Sequence, residues 1–156
     1  MGYCLQVSED ADYSVGICFG VIDKIYYLIS MDRVRYVCPH LKIQVESLAN
    51  SYNPKHILIE DKASGQQLIQ DLRFENHSNI IGIKSKLDKI TRFAAIVSLF
   101  QSGRVLLPQN SPFKNSLIEE ITTFSYSKND DIVDSIGQFL NFIKEFTGRK
   151  DIRIRG

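Results

Sequence analysis

Several things are missing from this chain of 156 residues, and each absence narrows what it can be. There is no G-x-x-x-x-G-K-[ST] loop, so nothing here grips ATP phosphates in the P-loop manner. No apolar run approaches the ~18 residues that a membrane span needs. The first residues lack a basic segment followed by an apolar core, so a soluble cytoplasmic protein is expected. Cysteine is scarce: Cys4, Cys18 and Cys38 are an odd count with no C-x-x-C pair. That fits packing residues in a reduced compartment better than a disulfide framework or a zinc knuckle. Charge of one sign is also missing, since 19 Lys and Arg against 18 Asp and Glu leave a net +1. Any contact with a polyanion must therefore come from local basic patches. His40, His56 and His77 are scattered without metal-ligand spacing. Repeats, low-complexity tracts and long linkers are absent, and a 44% hydrophobic content suits one domain around one core.

What is present is an ordered alternation of patterns. Tyr13 to Ile22 and Ile25 to Met31 are β-rich runs separated only by Asp23-Lys24, the spacing of a tight hairpin. After Pro39, Leu41, Val45, Leu48, Ala49 and Tyr52 recur at helical spacing, and Asn53-Pro54 stops that helix. His56 to Glu60 is a short, nearly all-apolar run, as expected of a strand covered on both faces. A helix from about Gln66 to Arg73 and a buried strand at Ile80 to Ile83 complete a βαβ unit, which makes the two strands parallel. Their C-terminal ends then share one edge, where sites usually lie. Asp88 caps a helix whose expected inner face is Ile90, Phe93, Ala94, Val97 and Phe100, ended by Gly103. Val105 to Leu107 is a short extended piece. Helices follow near Pro112 to Thr122 and from about Asp130 to Phe146, the latter burying Ile132, Ile136, Phe139, Leu140 and Ile143. The domain is expected over residues 1–148, with a basic tail at 149–156. A hairpin, a βαβ unit and terminal helices together describe an α/β mixed sheet flanked by helices.

Two groups of carboxylates stand out. Glu60-Asp61 ends a buried strand, a rigid place open to a substrate, although an acid there can also simply begin the polar loop or face the next helix's positive N-terminus. Asp130, Asp131 and Asp134 share one side of a helix's first turn. Acids in that position also cap free N–H groups without any chemistry. Several converging carboxylates are what hard divalent cations require for phosphodiester cleavage. Lys84, Lys86, Lys89 and Arg92 form a basic stretch suited to a phosphate backbone, or else a solvated face.

Taken in order, six runs carry a resemblance. They are Asp12-Tyr13-Ser14-Val15, Tyr26-Tyr27-Leu28, the string from Ile57 through Glu60-Asp61-Lys62-Ala63-Ser64-Gly65 to Gln66, Asp88-Lys89-Ile90-Thr91-Arg92, Ser102-Gly103-Arg104-Val105, and Asp130 to Asp134. Through them the chain resembles the C-terminal nuclease domain of the large terminase subunit of tailed phages and prophages. The resemblance implies a ribonuclease H-like fold, and an endonuclease that cuts concatemeric viral DNA during packaging with two Mg²⁺ or Mn²⁺ ions on an acidic triad. It assigns catalysis to Glu60 with Asp130 or Asp131, metal binding to these and Asp134, and DNA contact to Lys62, Lys84, Lys86, Lys89 and Arg92. Implied partners are double-stranded DNA, the terminase ATPase domain, the portal and the small subunit, in the cytoplasm of a bacterial host, with no membrane.

One departure matters. The family's first acid sits in a motif like S-W-D-T-A, about ten residues before the D-Y-S-V run, and alignment without gaps puts Gly2 or its neighbours there. Asn129 also stands where a histidine is frequent. The expectation is an opening strand that is truncated or degenerate, with Tyr3 to Val7 covering a sheet edge, and an impaired nuclease. Glu9, Asp10 and Asp12 are weaker substitutes for the lost acid. The alternatives are a catalytically inactive DNA-binding or assembly module from a prophage remnant, and a Holliday-junction resolvase or transposase-like nuclease on the same fold.

Overall fold

The computed structural model describes residues 2–9, 13–35, 38–75, 77–84, 86–124 and 130–153. Asp10, Asp12, Asn129 and the tail beyond 153 lie outside the described residues.

Strand β1 (Gly2–Glu9) opens the chain, followed by β2 (Ser14–Ile22) and β3 (Ile25–Val34). Asp23 and Lys24 both adopt positive φ, 47° and 65°, the backbone of a type I′ turn. That turn matches the twist of the strands it joins. Helix α1 (Cys38–Tyr52) ends at Asn53, which takes φ 44° and lets the chain leave the helix. Strand β4 (His56–Glu60), helix α2 (Ala63–Phe74) and strand β5 (Ile80–Ile83) form the expected parallel crossover, with α2 beginning three residues early. Helix α3 (Lys89–Gln101) is capped by Asp88, whose side chain accepts from the Thr91 amide at 3.0 Å. It ends where Gly103, at φ 68°, donates to Phe100 and Arg104 donates to Leu99, both at 3.0 Å. This paired closure is what a glycine just past a helix permits. Strand β6 (Val105–Leu106), α4 (Lys114–Thr123) and α5 (Asp131–Arg153) follow. Helix α5 runs through Arg153.

The strands form one sheet in the order β5-β4-β1-β2-β3-β6. β1 is antiparallel to β2 and parallel to β4. The expectation of a truncated opening strand is therefore corrected: β1 is eight residues long and lies inside the sheet, so Tyr3 to Val7 are part of it rather than an edge cover. Its pairing with strands on both sides leaves no exposed edge there.

Alternate residues feed two cores. Leu5, Val7, Ile57 and Ile59 pack with α1 and α2 on one face. Val15, Ile17, Phe19, Leu28 and Leu58 pack on the other face against α5, whose Ile132, Ile136, Phe139, Leu140 and Ile143 are all buried as expected. Phe19 and Phe139 stack at 3.9 Å between ring centroids, with Tyr26 edge-on to Phe139 at 6.0 Å. Each such fully buried side chain contributes roughly 1.5–3 kcal/mol.

The inner face of α3 differs in part from expectation: Phe93 and Phe100 pack against the larger core as expected, but other positions do not. Arg92 and Ile96 are its buried residues, while Ile90 is 72% exposed and Ala94 is exposed. The stripe is rotated because Arg92 turns inward to pair with Asp134, which swings Ile90 out to solvent.

Candidate nuclease site

The parallel strands β1, β4 and β5 end at one edge, and α5 begins there. Glu60, the last residue of β4, is 6% exposed and accepts a hydrogen bond from Gln138 Nε2 of α5 at 2.9 Å. Lys62 Nζ lies 3.0 Å from the same oxygen. Gly65 makes this corner possible, because a Cβ there would sit 1.9 Å from the Glu60 carbonyl oxygen. Asp61 is drawn the other way: its amide donates to the Ile83 carbonyl at 2.8 Å, and its carboxylate meets Lys84 at 3.3 Å. Hydrogen bonds from Gln66 and then Lys84 hold its carboxyl below the usual range.

Each acid at the start of α5 has a basic partner. Asp130 pairs with Lys89 and Asp134 with Arg92, while Asp131 accepts from Arg33 Nη2 at 2.9 Å. Arg92 also donates to the Leu87 carbonyl at 2.5 Å, so this buried guanidinium locks the α3 entrance to α5. Asp131, Asp134 and Gln138 lie at i, i+3 and i+7, one stripe along the helix. Gln138 is the α5 side chain that meets Glu60; Asp134 stands one turn before it and Asp131 two turns before. Lys62, Lys84, Lys86 and Lys89 are exposed around this edge, and Arg92 is not. Lys86 reaches Glu145 at 3.7 Å. A cavity of about 390 Å³ opens on the Asp61 side of this edge, lined by Asp61, Ile83, Lys84, Leu87, Gln138 and Phe142 among others, with none of Glu60, Asp130, Asp131 and Asp134 in its lining.

Three functional neighbours escape a reading of the sequence. Arg33 of β3 and Glu120 of α4 come from distant segments without a motif. Glu120 is 5% exposed, accepts from the Val133 amide at 2.9 Å, and lies 3.7 Å from Arg33 Nη1. Burial pushes its carboxyl up to about 7, against the lowering pull of the Val133 amide and Arg33. Arg33 in turn lies over the Tyr13 ring at 4.3 Å. Gln138 does leave a signal, being a polar residue inside the apolar run of α5 at helical spacing from Asp134.

Register also fixes which end of β1 lies beside Glu60. Gly2 pairs with Val21 and its Cβ position faces Lys55, at the start of β4 and the far end from Glu60. Val7 pairs with Ile59, so the next step of the ladder brings Ser8 level with Glu60.

These features have counterparts. A sequence model of the terminase RNaseH-like domain matches residues 6–142. The chain belongs to the terminase RNaseH-like domain family. Its fold is that of large terminases. The large terminase of a thermophilic bacteriophage superimposes with a TM-score of 0.71 at 12% identity, over 91% of this chain and 40% of that one. The chain thus spans well under half of that phage protein. The large terminase nuclease of thermophilic phage G20c, solved with bound zinc, gives 0.70 at 18% identity over 88% and 78%. The same nuclease has also been solved with bound magnesium. The fowlpox virus Holliday junction resolvase gives 0.61 at 18% identity over 92% and 99%. No curated protein sequence matches the chain.

For a divalent ion, the terminase domain's donors fit in kind, all being carboxylate oxygens at one edge. They are few in number: Glu60, Asp130, Asp131 and Asp134 do not bring three donor atoms together. Among the described residues, the group whose donor atoms lie within 4.8 Å of one another is Glu46, Glu75 and His77. That group sits on α1 and just past α2, and Lys42 already pairs with Glu75 at 2.5 Å, which holds the Glu75 carboxyl low. No helix among the described residues is long and apolar enough to cross a membrane.

Proposed function

We propose that this chain is a metal-dependent DNA endonuclease domain acting on concatemeric viral double-stranded DNA during genome packaging, with its cutting impaired by the loss of one acid. The observation that supports this reading most is Glu60, buried at the end of β4 against the helix that presents Asp131 and Asp134. Glu60 and the acids Asp130, Asp131 and Asp134 would hold Mg²⁺ or Mn²⁺. Such an ion polarises a phosphoryl oxygen and supplies hydroxide at neutral pH. Lys89 and Arg92 fix where Asp130 and Asp134 sit, and Lys62, Lys84 and Lys86 line the approach for phosphates. Partners by kinship are the terminase ATPase domain, the portal and the small subunit, in the cytoplasm of a bacterial host.

The impairment has a direct test. Supercoiled plasmid incubated with Mn²⁺ is cut slowly by the native chain and not at all by Glu60→Ala. Ser8→Asp restores the acid level with Glu60, and raises the rate by orders of magnitude, since a metal ligand contributes several kcal/mol to the transition state. Gly2→Asp, at the wrong end of the strand, leaves the rate unchanged. Cutting that survives Glu60→Ala refutes the site.

A second reading rests on a different observation, the basic or amide partner on every candidate acid. A catalytically inactive DNA-binding or assembly module needs no free carboxylates. It binds DNA with steep salt dependence and shows no metal-dependent cleavage, even with Ser8→Asp.

A further inference from the structure

Where the chain passes from β5 into the first turn of α3 it holds two apolar side chains out in water. Leu87 is 43% exposed and Ile90 72%. Core packing does not use Ile90, because α3 buries Arg92 and Ile96 instead. The short stretch that carries the pair is nonetheless held firmly. Asp88 accepts from the Thr91 amide at 3.0 Å and from its hydroxyl at 2.6 Å. Arg92 grips the Leu87 carbonyl from one side and Asp134 from the other, and Lys89 pairs with Asp130. The two apolar side chains are therefore mounted on a rigid turn fastened to the first turn of α5.

Their surroundings indicate what they meet. Residues 84–92 hold four basic residues, Lys84, Lys86, Lys89 and Arg92, and a single acid, Asp88. The three lysines are exposed. Two apolar side chains make a patch far smaller than a stable protein interface requires, and lysine is depleted at the centre of such interfaces. Duplex DNA suits both features. Ammonium groups meet the phosphates, while an apolar side chain enters between base pairs and unstacks them.

We propose that Leu87 and Ile90 form a wedge that enters the groove of duplex DNA and opens a base step beside the Glu60 edge. This rests on the DNA reading above and adds a distortion of the substrate, which would favour cutting at flexible pyrimidine–purine steps.

The test uses the full chain and duplexes carrying 2-aminopurine at successive positions, titrated without divalent cation. Fluorescence rises on binding at one or two neighbouring positions. Leu87→Ser with Ile90→Ser abolishes most of that rise while leaving the salt dependence of binding intact, because no charge is lost. Lys86→Ala does the reverse, lowering the salt slope by about one. Phe74→Ser, an exposed apolar change at the far end of α2, alters neither. Salt-dependent binding without any rise, or a rise that survives both serines, overturns the wedge, leaves the DNA reading standing and returns the apolar pair to a protein contact. Absence of salt-dependent binding overturns both.

Discussion

Glu120 offers the sharpest check on the energetics of this edge. It is a buried carboxyl on α4 that accepts from the Val133 amide and faces Arg33, with Asp131 close by, and burial raises it from the ordinary 4.5 to about 7. A group whose proton is held more tightly in the folded than in the unfolded chain stabilises the fold at low pH. That contribution is complete below about 4.5 and is lost as pH rises to about 7. At about 1.36 kcal/mol per pH unit, the interval corresponds to roughly 3 kcal/mol. Glu120→Gln keeps an oxygen for Val133 but cannot ionise. Native and variant chains should therefore have similar stability near pH 4.5, and the variant should be more stable by roughly 3 kcal/mol above about pH 7.5. With a urea slope of about 2 kcal/mol per molar, the midpoints separate by about 1.5 M. Urea unfolding followed by far-UV circular dichroism across this pH range measures it. Midpoints that stay parallel at every pH refute the assignment of a buried, proton-holding Glu120.

Other consequences are open to simple measurement. Gly65→Ala drives a methyl group into the Glu60 carbonyl oxygen, 1.9 Å from the ideal Cβ; a loss of about 3 kcal/mol or more in urea unfolding is expected, and a neutral result would mean that the strand end is not so confined. Phe139→Ala empties the stack on Phe19 and should cost roughly 3–5 kcal/mol by the same assay, with a cost under about 1 kcal/mol counting against a tightly packed centre. Cys18 is fully buried and its thiol is pushed up to about 12 by burial, so it should resist a thiol reagent at about pH 8 until denaturant is added.

Much of this architecture is legible from local pattern. The Asp23-Lys24 turn, the all-apolar β4 and β5, the Asp88 cap and the α5 stripe are each set by neighbours in sequence, and each appears where its pattern places it. Opening strand β1 is less clear, because its position depends on pairing with β4, some fifty residues away. Only that register, with Val7 beside Ile59, shows that Gly2 lies at the far end of β1 from Glu60. The α3 face turns on a long-range ion pair too, since burying Arg92 against Asp134 overrides the apolar count that favours Ile90. Glu60 and the α5 acids are visible as types at rigid places. Arg33 and Glu120 are not, as they come together there only when separate elements assemble, and Gln138 shows only as a polar break in the apolar run of α5.

Helix α5 serves two masters. One side of it builds the larger core through Ile132, Ile136 and Phe139, and the stripe beside it carries Asp131, Asp134 and Gln138. The packed side and the polar stripe thus draw on different side chains of a single rod. A substitution on that stripe is thus predicted to leave the buried side of the helix in place, whatever it does to the chemistry of the edge.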